Sequence, residues 1–159
     1  MKFSSQEEYG LRCLIRIAKF QKINKPLTIP EISQFEGITA HNAAKILRNL
    51  RLGGFLESER GQIGGYMLAK KPVEIIIGDV LECLGGRLFN EDEFCTTHTG
   101  IESICSNSID CSVRSLWRIV QDSVDSVLKN TTLQDLLGSE QEFELKINNL
   151  NSDKIEINS

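Results

Sequence analysis

The spacing of apolar residues predicts a run of short helices with one interval of strand-like alternation. Between positions 6 and 20, Leu11, Leu14, Ile15 and Ala18 recur at i, i+3, i+4 and i+7, the spacing of one helix face, while Arg12, Arg16 and Lys19 line another. After a linker at 21–26, Thr28 and Glu31 form the capping pattern that opens a short second helix through Phe35. Gly37 ends it. Thr39 then caps a third helix running to about Leu52, with Ala43, Ile46, Leu47 and Leu50 turned inward. Two capped helices around a glycine turn make a helix-turn-helix.

Residues 55–60 and 66–69 flank a glycine-rich tip at 61–65 and read as a β-hairpin, which in this position is a wing. Beyond Pro72, the apolar residues at 75–77 and 80–84 predict a further short helix stopped by Gly85 and Gly86. Residues 87–111 lack periodicity and read as a loop. From Ser112 to Lys129 the stripe Val113, Leu116, Trp117, Val120, Val124, Val127 and Leu128 predicts a long helix, and the same helix of a second subunit is the favoured cover for it. Thr132 and Asp135 cap a brief helix that ends at Gly138, and 139–159 is expected to be a polar, frayed tail. The expected fold is mainly α with a small β-hairpin wing. It comprises a winged helix-turn-helix domain at 1–86, a cysteine loop at 87–111, a dimerisation helix and short terminal helix at 112–138, and the tail.

Composition changes this picture in one respect. The 159 residues are 40% hydrophobic and 25% charged, as expected for one globular domain with an appendage, and the net charge of −4 argues superficially against a nucleic-acid partner. The charge is divided, however: residues 1–71 hold 12 basic and 6 acidic side chains, and residues 72–159 hold 6 and 16. The helix-turn-helix half is thus strongly basic and suited to an anionic partner. No run approaches the roughly 18 apolar residues of a membrane span, and the start MKFSSQEEYG lacks the apolar core of a secretory signal. The expected compartment is the cytoplasm, where five cysteines are better read as metal, redox or buried-thiol chemistry than as disulfides.

Double-stranded DNA is the expected partner. The second helix of a helix-turn-helix enters the major groove, and here it offers Thr39, His41, Asn42, Lys45 and Arg48, a set able to read base edges and anchor phosphates. Arg60 and Gln62 at the wing tip suit phosphate or minor-groove contacts, and Arg16 adds general electrostatic attraction. A protein-binding winged helix fits this basic surface less well. Catalysis has no support, because no nucleophile-base-acid set is present and there are only two histidines.

Cys13 and Cys83 sit among apolar neighbours and read as buried thiols. Cys95, Cys105 and Cys111 share a polar, acidic loop in which packing does not account for them. Thiolates there suit an iron–sulfur cluster or zinc. His98 completes a possible Cys3His zinc site, whereas Glu8 reads in isolation as an i,i+4 partner of Arg12. Spacing leaves cluster and zinc open.

The segments MKFSSQEEYGLRCLIRIA, LTIPEISQFEGITAHNAAKILRNLRLGGFLESERGQIGGYMLAK, IGDVLECLGG and CSVRSLW together resemble the winged-helix regulator family typified by IscR, NsrR and CymR. The resemblance implies a homodimer on a palindromic operator, acting as a repressor that senses redox state, nitric oxide or iron–sulfur status. It also implies a cluster, preferentially [2Fe–2S] with [4Fe–4S] as the alternative, on three loop cysteines and a fourth ligand. That ligand is either a histidine shortly after the last cysteine or an acidic residue of the other subunit's first helix. Arg114 occupies the former position and Glu8 the latter, so the implied set is Cys95, Cys105, Cys111 and Glu8. Some members of the family carry no cluster, and a zinc-holding or metal-free regulator of a small molecule or thiol state is the alternative.

Overall fold

The computed structural model describes residues 4–59, 64–86 and 109–157. Helix α1 (Ser5–Gln21) starts at a capping box between Ser4 and Glu7. Helix α2 (Ile29–Glu36) starts at the reciprocal pair Thr28 and Glu31, and Gly37 closes it in the left-handed region at φ 66°, a conformation that glycine adopts without a Cβ clash. Thr39 then caps α3 (Ala40–Leu52). This sequence of caps and one left-handed glycine is the helix-turn-helix.

The wing follows directly. Strand β1 (Leu56–Glu59) pairs antiparallel with β2 (Gly65–Leu68), Leu56 opposite Leu68 and Glu59 opposite Gly65. An additional bridge joins Tyr66 to Leu27, just ahead of α2. A Cβ on Gly65 would lie 2.8 Å from the Leu27 backbone, so the close approach of wing to helix-turn-helix requires glycine there. A 3-10 turn (Pro72–Glu74) leads into α4 (Ile77–Leu84). The long α5 (Ser112–Lys129), short α6 (Leu133–Leu136) and α7 (Glu140–Ile157) complete the chain.

One core holds these elements together. Leu14 and Ile17 of α1, Ile32 of α2, Leu47 and Leu50 of α3, Leu56 of β1 and Val80 of α4 are buried in it. Leu133 of α6 is fully buried in the same core, where its N–H donates to the Ile75 carbonyl at 2.8 Å, while the Ile77 N–H donates to the Thr131 carbonyl at 2.9 Å. The C-terminal helices are therefore stitched to the winged helix by backbone as well as by side chains.

Three expectations are corrected. Cys83 is exposed, because the inward face of α4 is Ile77, Val80, Leu81 and Leu84, and Cys83 falls off that spacing. The helix expected from position 75 begins at Ile77, since Ile75 and Ile76 are extended. The segment at 139–159, expected as a frayed tail, is helical from Glu140 to Ile157. Its start is another capping box, with the Ser139 N–H donating to Glu142 at 2.8 Å and the Glu142 N–H donating to the Ser139 hydroxyl at 3.2 Å.

Candidate DNA-reading helix and sensor ligands

Helix α3 separates its residues cleanly. Ala43, Ile46, Leu47 and Leu50 are buried, and Thr39, His41, Asn42, Lys45 and Arg48 are exposed on the opposite side. The Thr39 hydroxyl accepts the Asn42 N–H at 3.2 Å, fixing the first turn. That turn contains no acidic residue, and Lys45 and Arg48 join no ion pair among the described residues. The face thus combines a rigid N-terminus with unneutralised cations and amide chemistry, which is what reading base edges beside phosphates requires. Arg60 and Gln62, expected at the wing tip, lie outside the described residues.

Arg16 is more constrained than its sequence context suggests. Its Nε donates to Glu36 Oε1 at 2.8 Å, and its guanidinium lies 5.1 Å from the centre of the Phe35 ring. Arg12 donates to the other oxygen of the same carboxylate at 2.9 Å. The Glu36 side chain is only 3% exposed, so two cations offset the cost of burying one carboxylate and bind α1 to α2. The hydrogen bond to Glu36 is also the main reason that the Arg12 pKa is raised. Sequence reasoning missed this network: Arg12 and Arg16 stand one helical turn apart, but their partner is 20 or more residues away on another element.

The two described candidate sensor ligands fall on different elements. Glu8, on the exposed side of α1, pairs with Arg12 at 3.7 Å. Cys111 caps α5, its sulfur accepting the Arg114 N–H at 3.3 Å. Cys95, Cys105 and His98 lie outside the described residues, and among the described residues no three metal-binding side chains converge. Cys13 is fully buried, and burial raises its pKa to about 12, an environment for an inert thiol.

Helix α5 leaves much of its apolar stripe uncovered. Val113 is 51%, Leu116 56% and Val127 38% exposed, and the one buried residue of the helix is Gln121. No helix among the described residues is long and apolar enough to cross a membrane.

Comparison with known proteins accords with this architecture. The chain is 31% identical over 140 residues to the HTH-type transcriptional regulator CymR of Bacillus subtilis, covering 86% of this chain and 89% of that protein. It is 28% identical over 141 residues to IscR of Pectobacterium atrosepticum, covering 89% and 82% respectively. The solved structure of the B. subtilis global cysteine regulator CymR superposes with a TM-score of 0.67 at 30% identity, covering 86% of this chain and 96% of that one. These relatives are named as transcriptional regulators, a role without catalysis. Residues 3–139 match the family described as "Rrf2: Iron-dependent Transcriptional regulator", and the chain belongs to this Rrf2 family of winged-helix transcription regulators.

Proposed function

We propose that the protein is a homodimeric repressor that binds a palindromic operator and senses redox state, nitric oxide or iron–sulfur status at its cysteine loop. The observation that carries the DNA-reading part is the exposed, cationic face of α3. In this reading Asn42, Lys45 and Arg48 meet base edges and phosphates, His41 and Thr39 line the entry to the groove, and Arg60 and Gln62 follow the backbone from the wing. Pairing through the uncovered stripe of α5 brings two such helices to half-sites roughly 34–36 Å apart.

The sensor would be an iron–sulfur cluster, preferentially [2Fe–2S], held by Cys95, Cys105 and Cys111, with Glu8 of the partner subunit as the fourth ligand. The donors that are described fit the group. Cys111 presents a soft sulfur donor at the start of α5, held there by the Arg114 N–H, and Glu8 is exposed and accessible from outside its own subunit. When bound, such a cluster supplies one-electron redox chemistry and reactivity towards small oxidants. The chain supplies the connection to DNA. Glu8 shares Arg12 with Glu36, and Glu36 is the buried end of α2 beside the turn into α3. Engagement of Glu8 away from Arg12 therefore alters the charge balance around the carboxylate that binds α1 to the helix-turn-helix.

Anaerobic purification followed by visible spectroscopy and by iron, sulfide and zinc analysis tests the ligand set. Serine at Cys95, Cys105 or Cys111 should abolish the cluster absorption, and Glu8→Ala should leave it labile. Stoichiometric zinc without sulfide, released by His98→Ala and retained in Glu8→Ala, would establish the Cys3His alternative instead.

A further inference from the structure

The inner edge of the wing has two polar supports, and they come from different places in the chain. Tyr66 of β2 exchanges backbone hydrogen bonds with Leu27, its N–H donating at 2.8 Å and its carbonyl accepting at 3.2 Å. On an antiparallel edge the next N–H facing the same way belongs to Leu68, and a continued ladder would set it opposite the carbonyl of residue 25. The backbone turns away before that point. Asn24 takes the left-handed conformation at φ 54°, the Lys25 N–H donates to the Phe20 carbonyl at 3.2 Å, and Leu27 is left as an isolated bridge. The Leu68 N–H donates instead to a side chain, Gln21 Oε1, at 2.8 Å.

Gln21 is the last residue of α1, 47 positions from the amide that it accepts. Leu56 and Leu68 seat the base of the hairpin in the core, and the polar supports limit the direction in which it leaves that base. The bridge at Leu27 holds the edge at one residue. A second bond two residues along β2, roughly 7 Å away, opposes rotation about the first. Helix α1 is also bound to α2 through Arg12, Arg16 and Glu36. One helix therefore supports the helix-turn-helix and the wing together, and the angle between α3 and the hairpin is referred to it.

Resting on the reading of Arg60 and Gln62 as wing contacts to DNA, we propose that Gln21 is a positioning residue for the wing. Its carboxamide oxygen holds β2 at the angle from which the hairpin meets the DNA backbone while α3 lies in the groove, and it acts through the hairpin without touching DNA. In the full-length chain, Gln21→Met removes the acceptor at nearly constant side-chain length. Operator affinity should then fall about tenfold, and less than about twofold in a chain already carrying Arg60→Ala and Gln62→Ala, where the contacts served by that angle are gone. In a Lys45→Ala chain the loss should stay about tenfold. Hydrogen exchange should show the Leu68 amide losing protection in Gln21→Met and keeping it in Gln21→Glu, which retains an acceptor at that place. A loss of equal size with and without the two wing residues marks a general weakening of the fold and overturns the proposal. Full protection of the Leu68 amide in Gln21→Met overturns it too, as does unchanged operator affinity in that variant while the Arg60→Ala, Gln62→Ala chain binds weakly. If the latter chain binds the operator like the unaltered protein, the wing reading is removed and the role of Gln21 with it.

Discussion

Lys45 and Arg16 are both cations of the basic half, but they differ in their surroundings. Lys45 is exposed on α3, whereas Arg16 is held against Glu36 and Phe35. Lys45→Ala or Arg48→Ala should therefore cost about 1–3 kcal/mol on the operator and much less on unrelated DNA, while Arg16→Ala should lower affinity for all sequences alike. Titration of operator and scrambled duplexes at one salt concentration checks this, and equal losses on both duplexes at Lys45 and Arg48 contradict it. A second residue-scale prediction concerns acid. The Thr28 backbone N–H, then the Lys25 ammonium and the Thr28 hydroxyl, lower the Glu31 pKa from 4.5 to about 2. Because the folded-state value is depressed, ionised Glu31 stabilises the fold above its ordinary pKa. That stabilisation is lost as pH falls from 4.5 through about 2. Stability measured by urea unfolding should consequently fall less steeply with acid in Glu31→Gln across that window, and parallel curves for the two proteins contradict the assignment.

At the scale of elements, α5 carries the clearest consequence. A glutamate at Val120 or Val124 puts an unpaired charge into the stripe that two subunits would share, so each variant should sediment as a monomer and bind the operator weakly. A dimer of unchanged affinity and activity from both contradicts the assignment of that seam. The elements also show which signals in the sequence were sufficient. The caps at Thr28 and Thr132, the stop at Gly37 and the inward face of α3 were legible because each depends on residues within about two turns of one another. The start of α7 carried the same kind of signal, Ser139 with Glu142, but it was obscured by a polar composition that gives weak periodicity. The exposure of Cys83 is not legible locally, because its immediate neighbours are apolar although the face they define points elsewhere. The Glu36 network and the Gln21 support of the wing were not legible at all. Each joins residues of different elements, and no local spacing encodes such pairings.

For the whole molecule, the uneven charge acquires a structural meaning. The basic half contains α1 to α3 and the wing, and the acidic half contains Cys95, Cys105 and Cys111 together with α5 and α7. In the proposed reading DNA attraction and sensing fall to different halves of the chain; the described parts of those halves are joined where Leu133 is buried under the winged helix, and Glu8, Arg12 and Glu36 connect α1 to α2. In the proposed mechanism the state of the cysteine site alters the DNA face through this connection. The most direct measurement is operator affinity of the anaerobically purified protein, determined before and after removal of its iron and sulfide, with Cys111→Ser treated identically. Removal should change the operator affinity of the unaltered protein and leave that of Cys111→Ser where it began. Operator affinity that stays the same in the unaltered protein after complete loss of iron and sulfide would contradict it.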